Sequence, residues 1–178
     1  MHADDFVEHL QSLGRKILST RPGAYPQPIT QAARTWAAIH PIEPQPDQTV
    51  QDDIADLMAR YYISPVVIGD FAFVTPTLRL RRLRFLTFKR PNRKALNLFV
   101  DTFESKVYQA PNAWDTQTSI EQSSSDFLDC LGSYAYHLSL CTVQNIAVPS
   151  QLRSLESEFL MRIGSIPGSV WWRQTVDR

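Results

Sequence analysis

A mainly α fold, with five or six amphipathic helices around a small central β element of two or three short strands, is what this sequence predicts. Three observations carry that expectation. Apolar residues recur at helical spacing in several separate stretches, the spacing gives way to near-alternation between residues 65 and 88, and prolines stand mostly at the ends of the stretches.

The first helix is read from residue 4 to residue 19. Phe6, Leu10, Leu13 and Ile17 share one face, Asp4, Asp5 and Glu8 sit in the opening turn, and Arg15 and Lys16 lie near the end, as the helix dipole favours. Half of the twelve prolines then fall between residues 22 and 46, on either side of a short second helix through Ala33, Trp36 and Ala37. This Pro-rich stretch, 20–48, reads as a stiff surface connector. A third helix is expected from Thr49, its cap, with Val50, Ile54, Leu57 and Tyr61 on one face, and Ser64-Pro65 ends it.

From Pro65 to Phe88 the texture is that of strands: Val66 to Ile68, a turn at Gly69-Asp70, Phe71 to Val74, a break at Pro76, then alternating Arg and Leu. Leu78 and Leu80 have one parity and Leu83 and Phe85 the other, which a bulge or turn near Arg81-Arg82 reconciles. A helix through Leu80, Leu83 and Leu86 is the rival reading. A fourth helix is expected after Pro91, with Leu96, Phe99, Phe103 and Val107 inward and Pro111 closing it. A polar link with Trp114, Thr116, Thr118 and Ser119 leads to a fifth, capped by Ser123 to Ser125 and burying Phe127, Leu131, Tyr134, Leu138 and Cys141. Pro149 opens a sixth, with Leu152, Leu155, Phe159 and Ile163 inward and Gly164 at its close. Beyond it, residues 165–178 form a C-terminal arm with Trp171 and Trp172. The whole, 1–178, is expected to be a single helical domain, for which 43% hydrophobic residues supply an ample core.

The charge is local. Residues 1–70 carry −4, residues 71–94 carry +8 and residues 95–178 carry −4, so a neutral chain holds one concentrated basic segment. Arg79, Arg81, Arg82, Arg84, Lys89, Arg90, Arg93 and Lys94 form it, with no acidic residue among them. Clustered arginine binds phosphate or carboxylate in bidentate fashion and gains from counterion release, so these eight residues are the candidate binding set for nucleic acid or another polyanion. The bland reading is a charged edge strand, or internal pairing with the acidic arms. Phe85 and Phe88 stack on bases if exposed, although core packing suits them better.

Catalysis finds no footing. The sequence holds no nucleophile elbow, phosphate loop or dinucleotide fingerprint, and Ser133 with His137 is a spacing that chance supplies. His2, His9, His40 and His137 lack partners at ligand spacing, so no metal and no cofactor is expected. Asp52, Asp53 and Asp56 in a first helical turn, like Asp126 and Asp129 later, complement a helix dipole. Cys130 and Cys141, three turns apart on one helix, cannot bridge, and free thiols suit a reducing compartment. With no apolar run long enough for a membrane span and no signal region, the expectation is a soluble, intracellular, cytoplasmic protein.

The order of helices, a short β region and two longer helices over residues 49–146 resembles that of the coat proteins of rod-shaped plant viruses. Residues 125–140 contain no arginine where the last long helix of those proteins carries an Arg/Asp motif, so no residue is carried over. The expected function is thus non-enzymatic: nucleic-acid binding, RNA first, or coat-like assembly through residues 79–94. Trp171 and Trp172 have two readings, one ring capping the chain's own core or the pair docking a neighbouring subunit, and at least one is expected to be buried; as a docking plug they would anchor a homo-oligomer. The alternative is an adaptor, chaperone or inhibitor whose basic face docks an acidic protein.

Overall fold

The computed structural model describes residues 1–43, 51–89, 95–111 and 117–176. Its main feature overturns the mainly α helical bundle: an open six-stranded antiparallel sheet, with helices packed on one face. The strands are β3 (Val67–Ile68), β4 (Phe71–Arg79), β5 (Arg82–Phe88), β6 (Leu96–Asp101), β7 (Lys106–Ala110) and β8 (Thr118–Ser123), adjacent in space in the order of the chain. A small ladder pairs β1 (His40–Pro41) with β2 (Tyr61–Tyr62).

The helical expectations fare better one by one. In α1 (Ala3–Ser19) the four inward positions Phe6, Leu10, Leu13 and Ile17 are all buried. The short helix α2 (Gln27–Ala37) packs on α1, and its Ala33 and Trp36 are fully buried, the indole donating to Val67 O at 2.7 Å. In α3 (Asp53–Arg60) the cap is Asp52, whose side chain accepts from Ala55 N; Thr49 and Val50 lie outside the described residues. Ser123 caps α4 (Ser124–Leu140), and Ser124 donates to the buried Asp52 carboxylate, so the starts of α3 and α4 meet. After α5 (Val143–Ile146), α6 (Pro149–Ile163) buries Phe159 and Ile163 while Leu152 and Leu155 stay half-buried.

The predicted fourth helix is instead the β6–β7 hairpin. Leu96, Phe99, Phe103 and Val107 have helical spacing, but Leu98, Phe99 and Val100 are consecutive and all fully buried, Leu98 and Val100 on one face of β6 and Phe99 on the other. Phe103, assigned to the buried stripe, is 84% exposed in the turn between the strands. The polar link ends in β8, where Ile120 and the polar Gln122 are the inward residues. The resemblance to rod-virus coat proteins fails with it, since the helix that element order needs is a pair of strands. The C-terminal arm is not extended: α7 (Ser169–Val176) buries Trp172 in the chain's own core.

Of three register shifts among the described strands, the two on β5 phase the basic segment. The β4–β5 register shifts between Phe73 and Thr77, around Pro76, which cannot donate to a ladder. A second shift between Arg84 and Leu86 lets Phe85 and Leu86, neighbours in sequence, both face the core. The turn expected near Arg81-Arg82 is there, with Leu80 and Arg81 linking the paired Arg79 and Arg82.

The α1–α2 contact turns on Gly14, where a Cβ would lie 2.6 Å from Ala33 O and 2.8 Å from Ala37 N. At Gly132 in α4 a Cβ would lie 3.2 Å from the flexible end of Met1 and at ordinary contact distance, 3.5 Å, from the His9 ring. Gly14→Ala should therefore cost about 1–3 kcal/mol by forcing two backbones apart, while Gly132→Ala should stay within about 1 kcal/mol of wild type because helix propensity offsets the crowding. Chemical unfolding of the two variants checks this, and a Gly14→Ala protein as stable as wild type would refute the close approach.

Candidate functional site

Folding divides the basic segment. Arg79, Arg81 and Arg82 lie at one end of β5 and Lys89 just past the other, about 20 Å away along a seven-residue strand. Arg90, Arg93 and Lys94 lie outside the described residues. Phe85 and Phe88 are buried in the core, so neither offers a ring to a base.

Side chains alternate across the sheet, which sorts the remaining arginines. The row Leu83, Val100, Val107 faces the helices, and the rows Arg84, Phe99, Tyr108 and Arg82, Asp101, Lys106 face away from them. On that outer face Asp101 is fully buried and acts as the hub. Its Oδ1 accepts from Phe103 N and Glu104 N, both at 3.0 Å, which folds the β6–β7 turn. Its Oδ2 lies 2.8 Å from Arg81 Nε and 3.3 Å from Arg82 Nε, as ion contacts rather than aligned hydrogen bonds. Arg81 Nη2 also donates to Glu104 Oε1 at 3.2 Å, and Tyr108 donates to the other oxygen of that carboxylate. The Arg82 guanidinium stacks 3.4 Å over the Tyr108 ring centre. Among the five candidate residues that are described, Arg81 and Arg82 are thus held by acidic groups of the chain itself, the internal pairing that the acidic arms suggested.

The same contacts join two hairpin tips into one body. Thr102 donates to Arg81 O through both N (3.0 Å) and Oγ1 (3.2 Å), tying the β6–β7 turn to the β4–β5 turn. This double tip exposes Leu78 (61%), Leu80 (94%) and Phe103 (84%). Leu80 also holds φ at 55°, a left-handed conformation that costs a leucine roughly 1–2 kcal/mol. With Arg79, Arg81, Arg82 and Lys106 against Asp101 and Glu104, the tip has a net charge of +2.

The other predicted contact residues look inward. Trp172 donates to Gln122 Oε1 and Trp171 to Gln109 Oε1, both at 2.8 Å, and their rings meet at 5.4 Å within the aromatic core. Nothing among the described residues offers them to a second copy. Of the histidines, His2 pairs with Asp53, His9 with Gly132 O and His40 with Ala38 O, and no described group of three His, Cys, Asp or Glu is placed to hold a metal. Likewise, no described helix is long and apolar enough to cross a membrane. Sequence reasoning missed Asp101, Glu104, Leu80 and Phe103 as tip residues. The run Asp101-Thr102-Phe103-Glu104-Ser105 carried a usable signal, since an aspartate opening a polar pentapeptide favours a turn.

No protein-family model matches the chain, and no curated protein or solved structure matches it significantly.

Replacing Asp101 with Ala strips two guanidinium groups and two backbone N–H groups of a buried acceptor, and should cost about 3–5 kcal/mol. Arg81→Ala, at a side chain 54% exposed, should cost about 1 kcal/mol or less. Urea titration of both variants tests the ranking, and equal losses would show that Asp101 is not the hub.

Proposed function

We propose that this chain is a non-catalytic protein-binding module that docks an acidic partner on the double hairpin tip, in the manner of an adaptor or inhibitor. The observation that carries this reading is the exposed Leu80, with Leu78 and Phe103, on a double tip tied together by Thr102 and Arg81 O and bearing a net positive charge. Exposed apolar side chains supply buried area on docking, and the arginines around them are a residue type enriched at interaction hot spots. Strain in the backbone of an exposed leucine brings no packing gain, and such strain concentrates at functional sites. The net positive charge favours a partner surface rich in Asp or Glu.

RNA binding is the second reading and draws on the remaining basic residues, Arg79, Arg84 and Lys89, with the three beyond them in sequence. It accounts less well for the tip, because exposed leucines have no counterpart on a phosphate backbone and Arg81 and Arg82 already meet carboxylates. Coat-like self-assembly through Trp171 and Trp172 has weak support, as both indoles bond within the chain.

Benzoylphenylalanine placed at position 103 and photolysed in the native cell tests the choice. The expected product is a discrete adduct with one acidic protein. It should fall about tenfold or more with Leu80→Asn, equivalent to some 1.4 kcal/mol or more of binding, and be unaffected by Lys89→Ser. Asn tolerates positive φ, so Leu80→Asn should keep or raise stability by up to about 1 kcal/mol, which separates lost binding from lost folding. Adducts with nucleic acid alone would transfer the proposal to RNA.

A further inference from the structure

About 30 Å along β4 from the tip, beside the Gly69-Asp70 turn, a cavity of about 630 Å³ opens between α2, α4 and α6. Helix packing leaves it there, since α2 packs on α1 and β3 whereas α6 packs on α4 and α5. The turn firms its wall: Gly69 holds φ at 59°, and a Cβ there would lie 2.7 Å from the Tyr134 ring, so Tyr134 closes on the backbone only because the residue is glycine. A volume of this order is that of a small-molecule site.

The accessible part of the wall is aliphatic. Ile29 and Ala32 of α2, Leu138 of α4 and Leu152 of α6 line the cavity half-buried, and Val67 of β3 (38%) and Ile146 of α5 (41%) line it exposed. The apolar stripes of two helices thus run past the point where the protein covers them: α4 buries Phe127, Leu131 and Tyr134 but leaves Leu138 half-buried, and α6 buries Phe159 and Ile163 but leaves Leu152 so. Polar residues, Asp70 and Glu156 among them, also line the cavity, and its accessible surface is nonetheless mostly apolar. Uncovered apolar area gathered into one concavity gains by excluding water. A charge set among the six aliphatic side chains would lose its hydration and meet no partner among them. The Trp36 indole, buried behind this wall, spends its N–H on Val67 O at 2.7 Å and offers a ligand no donor.

We propose that the cavity binds a neutral, hydrocarbon-rich small molecule, a medium-chain or alicyclic alcohol type of ligand, held by aliphatic contact with its one polar group toward the open mouth. The site is independent of the tip, and neither proposal needs the other.

Titration of the full chain with butanol, hexanol and octanol, followed by the indole N–H signals in NMR spectra, tests both the class of ligand and its place. Binding should saturate, and affinity should rise about fourfold for each added CH₂ group. Hexanediol, with a hydroxyl at each end, should bind about tenfold or more weakly than hexanol, because its second hydroxyl is carried in among aliphatic side chains. The Trp36 signal, which reports the bond to Val67 O, should shift more than that of Trp171, which bonds Gln109 and does not line the cavity. Ala32→Phe fills the space and should abolish binding, and Ile146→Ser at the exposed rim should weaken it. No saturable binding of hexanol or octanol, equal affinity for hexanol and hexanediol, or a larger shift at Trp171 than at Trp36 would overturn the proposal. These three readings use the wild-type protein, so they decide even if Ala32→Phe fails to fold.

Discussion

The structure depends on a polar knot in an apolar place. Gln122, 2% exposed on β8, accepts from Trp172 Nε1 and donates to Pro167 O and to Cys130 Sγ, so one amide ties strand, helix and C-terminal turn. A buried amide with its hydrogen bonds met fixes geometry that hydrophobic packing leaves loose. Trp172, placed this way, meets Phe71, Phe127 and Tyr134 with ring centres 5.1, 5.3 and 6.4 Å away. Those rings belong to β4 and α4, so the apolar face of the sheet is sealed where the knot lies. Gly168 makes the approach feasible, because a Cβ there would lie 2.3 Å from Gln122 Cγ.

With its apolar face sealed, the sheet has two ends that differ. One end presents a cationic, apolar tip held by Asp101, and the other carries the Gly69-Asp70 turn, closed against the Tyr134 ring. The hub is buried on the outer face, where it arranges arginines that the sequence presents as a single run. Charge that looks like a binding patch in one dimension is spent in part on holding two turns together.

Helices were legible where apolar residues recur at helical spacing between capping signals. Phe6, Leu10, Leu13 and Ile17 in α1 announce themselves by period, as do Phe127, Leu131 and Tyr134 in α4 although that helix is buried on most sides, and Ser123 marks a boundary through its own capping chemistry. The sheet was legible only where its strands alternate and turns punctuate them. In β6 three consecutive apolar residues are buried, Phe99 on the face away from the helices, so period carries no information. In β8 the inward residue beside Ile120 is Gln122, whose partners lie on elements far along the chain. The tip was half visible: its arginines stood out at once, whereas their pairing with Asp101 and Glu104 exists only once β6 lies beside β5.

The late position of Trp172 also has a consequence for biosynthesis. At ordinary elongation rates the ribosome needs about 2 to 9 s to travel from Phe127 to Trp172. Throughout that interval β4 to β8 have all been made, while the ring that covers Phe71 and Phe127 has not. The nascent chain therefore presents an unsealed aromatic surface for seconds, and its passage to the native state is set by translation and by whatever shields that surface meanwhile.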